Sequence, residues 1–155
     1  MKNLVYRNLT NEDKRQICAW KYDGEYDIYN LPDYEEMQVR RIGFMNSKTE
    51  KNFYAFWDEN VLVGFIHILE KEKAVFIGIG VKPDLCGKHY GQKMLMITYE
   101  ISKGLYPKKP LYLEVRAWNM RAIKCYEKAG FQIVGEPYEL TTSIGTGIFY
   151  RMVKE

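Results

Sequence analysis

The stretch IGIGVKPDLCGKHYGQK, residues Ile77–Lys93, decides how the rest of the chain is read. It opens inside an apolar β run, Ala74–Val81, halts at Lys82-Pro83 and crosses a loop that carries Gly87 and Gly91. From about His89 the pattern becomes that of an amphipathic helix with Tyr90, Met94, Ile97 and Ile101 on one stripe. A strand feeding a glycine-bearing loop that opens a helix is a place to bind an anion. The first helical N–H groups have no internal partner, and the dipole puts partial positive charge beside them. Lys88 and Lys93 add cationic charge. Many strand-to-helix loops hold two glycines, so this stretch needs support from elsewhere in the chain.

The 155 residues suit one domain, 1–155, with a core of its own. Hydrophobic residues at 46% and charged residues at 28% are ordinary for a globular chain and argue against disorder. A net charge of +3, spread along the sequence, gives no nucleic-acid footprint. Three cysteines (Cys18, Cys86, Cys125) lie far apart without a C-x-x-C spacing, which points to a reducing cytoplasm and to neither a disulfide framework nor a metal site. The N-terminus lacks the apolar centre of a signal peptide, and no run is long enough for a membrane span. The expectation is a cytoplasmic protein with no membrane and no nucleic-acid partner.

Along the chain, Leu4–Leu9 reads as a strand and Thr10 or Asn11 as the cap of a helix reaching about Trp20. Residues 20–32 are dense in tyrosine and acid and close at Pro32. Asp33 caps a second helix, Tyr34–Met45. Asn52–Trp57 and Val61–Leu69 read as antiparallel strands joined at Asp58-Glu59-Asn60, with Ala74–Val81 as their neighbour. The helix after the glycine loop ends near Gly104. Leu111–Ala117 is a strand, Asn119 caps a helix that ends at Gly130, and Phe131–Tyr138 pairs with Gly147–Val153. The order β-α-α-β-β-β-α-β-α-β-β gives an α/β (α+β) fold. Its central twisted sheet is mixed, mostly antiparallel and of about seven strands, with helices on both faces and one parallel β-α-β unit.

The segment LYLEVRAWNMRAIKCYEKAGF, Leu111–Phe131, is the more specific signal. Leu111, Leu113 and Val115 share one strand face, and Tyr112, Glu114 and Arg116 the other. A carboxylate in the middle of a covered strand is costly unless it is paired or used. Tyr126 falls seven residues after the Asn119 cap, on the stripe of Ala122 and Ile123. From residue types alone the favoured reading is structural: Tyr126 is a core aromatic, and Glu114 pairs with Arg116 or a lysine at the sheet margin.

Together the two stretches resemble the GNAT superfamily of N-acetyltransferases, which use acetyl-coenzyme A. The likeness is sharpest in V-x-P-x-x-x-G-x-x-x-G (Val81–Gly91) and L-x-V-x-x-x-N-x-x-A-x-x-x-Y-x-x-x-G-F (Leu113–Phe131). It implies a strand pair splayed to admit the cofactor, an N-acetyltransferase activity, no metal, and direct attack by an amine in a ternary complex. The family pyrophosphate loop, [QR]-x-x-G-x-[GA], is CGKHYG here. Gly91 is kept, while Cys86 and His89 replace the usual Gln/Arg and first glycine. By this resemblance the acetyl-coenzyme A contacts are Ile79, Gly80 and Val81 on the strand edge, Cys86, Gly87, Lys88, His89, Tyr90, Gly91 and Gln92 at the loop and helix start, and Asn119 and Tyr126. Val81 is expected to lend an N–H to the oxyanion. Glu114 is nominated to accept the amine proton through water, with Glu25 in reserve. Tyr126 holds the position of the acid for the leaving thiolate, and a phenol of pKa ~10 suits a thiol of ~8.5.

Trp20, Tyr22, Glu25, Tyr26 and Tyr29 occupy the region that, by resemblance, shapes the acceptor pocket, interleaved with Asp23 and Asp27. Aromatic faces and carboxylates both favour an amine-bearing small molecule or peptide. The same tyrosines, at helical spacing, equally describe a helix packed on the core. A non-catalytic acyl-coenzyme A sensor of the same fold is the alternative, though it has no need of Glu114 and Tyr126. A nucleotide module is disfavoured, because G-x-x-x-x-G-K-[ST] is missing. Homodimer formation and the identity of the amine stay open.

Overall fold

The structure, a computed structural model, describes residues 3–155. Seven strands form one mixed sheet: β1 (Leu4–Asn8), β2 (Phe53–Asp58), β3 (Val61–Glu70), β4 (Val75–Val81), β5 (Leu111–Arg116), β6 (Gln132–Thr142) and β7 (Gly145–Lys154). Their order is β1-β2-β3-β4-β5-β7-β6. The β4–β5 pair is parallel, and β1–β2, β2–β3, β5–β7 and β6–β7 are antiparallel. The helices are α1 (Asn11–Cys18), α2 (Tyr34–Arg40), α3 (Tyr90–Leu105) and α4 (Met120–Lys128). The chain divides into two compact units, one running to His67 and resuming at Ile79–Tyr90, the other formed by Ile68–Gly78 and Gly91–Glu155.

In the first unit, α1 starts at a reciprocal capping box. The Thr10 hydroxyl accepts from the Asp13 N–H, and the Asp13 carboxylate accepts from the Thr10 N–H. Asp13 is buried because Arg7 pairs with it. The helix ends at Cys18, short of Trp20, and α2 is likewise shorter than its sequence pattern suggests. Arg41 takes a left-handed φ of 54° and stops α2, and a 3₁₀ turn, Gly43–Met45, replaces the last helical turn. Ile17, Trp20, Met37, Phe44 and Phe53 form the centre of this unit's core. Residues 24–29 form a 3₁₀ turn, Gly24–Tyr29, in which no residue is buried. This corrects the packed-helix reading of Tyr22, Tyr26 and Tyr29.

In the second unit, Leu111, Leu113 and Val115 are buried on one face of β5, as their alternation requires. α3 buries Gly91, Met94, Leu95, Thr98 and Ser102. Its inward stripe is therefore rotated from the predicted Tyr90–Met94–Ile97–Ile101 line. Thr98 tolerates burial by donating its hydroxyl to the Met94 carbonyl at 2.8 Å, a bond that residue type does not announce. α4 begins where the Asn119 side chain accepts from the Ala122 N–H at 3.1 Å. It ends with Gly130 at φ +98°, and the N–H groups of Gly130 and Phe131 return to the Glu127 and Tyr126 carbonyls at 3.0 Å each. A side chain at residue 130 would also meet Lys154, whose ammonium donates to the Ala129 carbonyl at 2.8 Å.

Strands β6 and β7 are longer than predicted and close in a tight hairpin, with Thr142 opposite Gly145. The register of β6 shifts between Val134 and Tyr138, where Gly135 has φ +72° and Pro137 removes a ladder donor. That shift sets which way Tyr138 points, and so which residue it reaches.

Candidate active site

The parallel ladder of β4 and β5 is short. Val75 pairs with Leu111 and Phe76 with Tyr112, and the pairing stops there although β4 continues to Val81 and β5 to Arg116.

In the first unit, β4 ends with its last carbonyl already engaged. The Lys82 N–H donates to the Val63 carbonyl at 2.8 Å, and the Tyr22 hydroxyl donates to the Val81 carbonyl at 2.7 Å. Tyr22 is held from behind as well, its N–H donating to Asn30 Oδ1 at 2.6 Å. Gly80 is closely packed: a Cβ there would lie 2.3 Å from Phe65 Cε1, so the ring would have to shift. Ile79, Gly80 and Val81 are each half-buried. Beyond them, Pro83–Leu85 forms a 3₁₀ turn and the loop bends through Gly87 at φ +81° and His89 at φ +71°. A Cβ at Gly87 would meet nothing within 4 Å, so the loop surface is open there. Gly87, Lys88 and His89 are exposed. The Cys86 thiol lies 3.8 Å from the Val81 carbonyl and 3.7 Å from that of Lys82. Tyr90 starts α3 with its phenol donating to Asp58 Oδ2 at 2.6 Å, and that bond is the largest cause of its raised pKa.

The acceptor segment of the sequence analysis is only partly brought together. Trp20 is buried, with its ring 6.4 Å from that of Phe65, so it belongs to the core. Tyr22 reaches the end of β4, and Tyr26 and Tyr29 are half-buried in the 3₁₀ turn. Glu25, Asp23 and Asp27 are exposed.

In the second unit, Glu114 sits opposite Arg151 in the ladder, but its hydrogen bond comes from farther away. The Tyr138 phenol reaches past β7 and donates to Glu114 Oε2 at 2.8 Å. Burial first, and then this bond to a carboxylate, push the Tyr138 phenol pKa up. The Arg151 guanidinium carbon lies over the Tyr112 ring, 3.7 Å from its centroid. Arg116 is buried over Phe149, and a Cβ at residue 147 would come 2.3 Å from Arg116 Nη1, so that the guanidinium would have to move. The bland pairing of Glu114 with Arg116 or a lysine is therefore replaced by pairing with Tyr138. Tyr126 is half-buried on α4 between the Asn119 cap and the Gly130 terminus, a helix of nine residues fixed at both ends.

A sequence profile described as the Acetyltransferase (GNAT) family matches residues 7–131, from β1 through the end of α4. The chain belongs to the acetyltransferase (GNAT) family. No curated protein sequence matches it. Solved GNAT structures share its fold. A spermidine N-acetyltransferase chimera of SpeG from Vibrio cholerae and hSSAT superimposes with a TM-score of 0.76 at 19% identity, covering 97% of this chain and 93% of that one. An acetyltransferase (GNAT family) from Bacillus anthracis gives 0.79 at 17% identity, covering 99% and 95%. The aminoglycoside acetyltransferase AAC(6')-Ib in complex with coenzyme A gives 0.73 at 19% identity, covering 98% and 94%. The seven-stranded mixed sheet with its parallel β4–β5 pair is thus the GNAT fold. Among the described residues, no helix is long and apolar enough to cross a membrane, and no group of three or more His, Cys, Asp or Glu side chains could hold a metal ion.

Proposed function

We propose that the chain, acting over its whole length as one N-acetyltransferase domain, moves an acetyl group from acetyl-coenzyme A to a primary amine of a small molecule or peptide in a ternary complex. The observation that carries this reading is the β4–β5 ladder that stops at Phe76–Tyr112, followed by the Gly87 loop and the N-terminal amides of α3, which a helix leaves without intrahelical partners. The residues fit the cofactor chemically. The edge of Ile79–Val81 offers strand-like pairing to the pantetheine amides. Backbone N–H groups at the start of α3 (Tyr90, Gly91, Gln92), with Lys88, suit a pyrophosphate. Acetyl-coenzyme A supplies a thioester, whose carbonyl the amine attacks.

The chain's own residues have three tasks in this reaction. The Val81 N–H lends a positive dipole to the oxygen on which charge develops. Glu114 accepts, through water, the proton that the attacking amine sheds. Its hydrogen bond from Tyr138 engages Oε2 and restrains the carboxylate. Tyr126 donates its phenolic proton to the departing thiolate. The acceptor is read as an amine from the tyrosines and exposed acids of Trp20–Asn30, and SpeG and AAC(6')-Ib, which share the fold, are named for amine substrates. Three free cysteines are consistent with a reducing cytoplasm.

The test combines binding and turnover. Acetyl-coenzyme A should raise the melting temperature by mass action, whereas ATP and NAD should not. A panel of polyamines, aminoglycosides, amino acids and peptides should contain an amine that drives release of free coenzyme A. Tyr126→Phe should then lower turnover by ~10²-fold or more with cofactor affinity little changed. Binding of acetyl-coenzyme A with no turnover on any amine would favour a sensor of the same fold.

A further inference from the structure

Tyr22 belongs to a segment whose sequence suggests contact with the acceptor, yet its hydroxyl does something more specific. The peptide linking Val81 to Lys82 is planar and trans, so its C=O and N–H point in opposite directions. The N–H is spent on the Val63 carbonyl at 2.8 Å, which turns the C=O away from β3. On that far edge it receives the Tyr22 hydroxyl at 2.7 Å. In an extended residue the N–H and C=O lie on the same side, because antiparallel partners exchange both bonds with one residue. The phenol therefore sits on the side of β4 that also carries the Val81 N–H, the side turned away from β3.

A chain laid along this edge in strand fashion pairs with every second residue, Ile79 and then Val81. At Val81 it meets an N–H and a carbonyl already covered by a phenol. Tyr22 thus ends the pairing register at one particular donor and fixes the rotation of the peptide that follows. Its own position is set by Asn30, which accepts its N–H at 2.6 Å, and by Trp20, buried two residues before it. We infer that Tyr22 is a positioning residue that stops the pantetheine arm at the Val81 N–H and aims that N–H at the thioester carbonyl. The inference rests on the acetyltransferase reading above.

The readout is the carbonyl stretch of [1-¹³C]acetyl-coenzyme A bound to wild type, Tyr22→Phe and, as a control in the same segment, Tyr26→Phe. Wild type and Tyr26→Phe should show one narrow band below the frequency of the free thioester. In Tyr22→Phe the band should broaden and return toward the free position. Turnover should fall about tenfold or more, with the Michaelis constant for acetyl-coenzyme A and the melting temperature nearly unchanged. An identical shifted band in Tyr22→Phe overturns the inference and leaves the acetyltransferase reading intact. So does a variant that melts lower and binds the cofactor more weakly while its band stays put, since that is loss of packing. No bound band with wild type overturns the acetyl-coenzyme A reading and this inference with it.

Discussion

Replacing Gly80 by alanine should destabilise the protein, and the structure sets the scale. A Cβ on residue 80 would stand 2.3, 2.7 and 3.0 Å from Cε1, Cζ and Cδ1 of Phe65. Nonbonded carbons prefer about 3.5–4.0 Å, so the ring must retreat by roughly 1 Å. It has little space to do so, because the rings of Trp20, Phe44 and Phe53 lie 6.4, 6.1 and 6.4 Å away, centroid to centroid. Overpacking of this kind costs about 1–3 kcal/mol. Alanine's lower chain entropy offsets about 0.5–1 kcal/mol of that, so the overpacking term wins. For a chain of this length each kcal/mol moves the midpoint by about 2–4 °C. Calorimetry should therefore show a Tm lowered by a few degrees. The same substitution made in a Phe65→Leu background should cost much less, a coupling read from the double-mutant cycle. An equal loss in both backgrounds, or no loss in either, would refute the claim that Phe65 is what demands glycine at residue 80.

Three further outcomes are expected. His89 holds a left-handed φ of 71°, so His89→Val, β-branched, should lose about 1–2 kcal/mol in urea unfolding, while His89→Gly should not. The Tyr138 phenol has a pKa raised above its unfolded value, so the folded state holds that proton more tightly. The associated stability is complete below about pH 10 and declines as pH rises beyond it, so Tyr138→Phe should flatten the alkaline part of the Tm–pH curve relative to wild type. Equal alkaline slopes would count against the Tyr138–Glu114 bond. Burial pushes the Cys18 thiol up to about 11, so peptide mapping after iodoacetamide at pH 8 should find Cys18 the slowest of the three cysteines. Rapid labelling of Cys18 in the native protein would contradict its burial beneath α2.

Much of the fold was legible along the chain, because its signals are local. Thr10 and Asn119 cap helices through bonds that span three residues, and Gly130 ends one through a backbone conformation that disfavours side chains. The alternation of Leu111, Leu113 and Val115 named the buried face of β5, and the spacing from Asn119 to Tyr126 and Phe131 pointed to the family. The long pattern was readable for the same reason: each of its residues answers to neighbours within a turn or two.

What the tertiary structure decided is wherever one strand's geometry depends on another's. Glu114 could have been paired with Arg116 by proximity along the strand. Its donor is Tyr138, which arrives across β7 only because β6 changes register between Val134 and Tyr138. The tyrosines of residues 22–29 could have been one helical stripe. The chain instead closes on Asn30 and turns in 3₁₀ form, which frees the Tyr22 hydroxyl to meet Val81, 59 residues away. The rotation of α3 toward Thr98 and Ser102 depends likewise on what that helix packs against, and the hydropathy of its own residues favours a different stripe. Local chemistry selects helix, strand and turn, whereas a hydrogen bond between distant residues exists only after register and packing have brought its two ends within 3 Å.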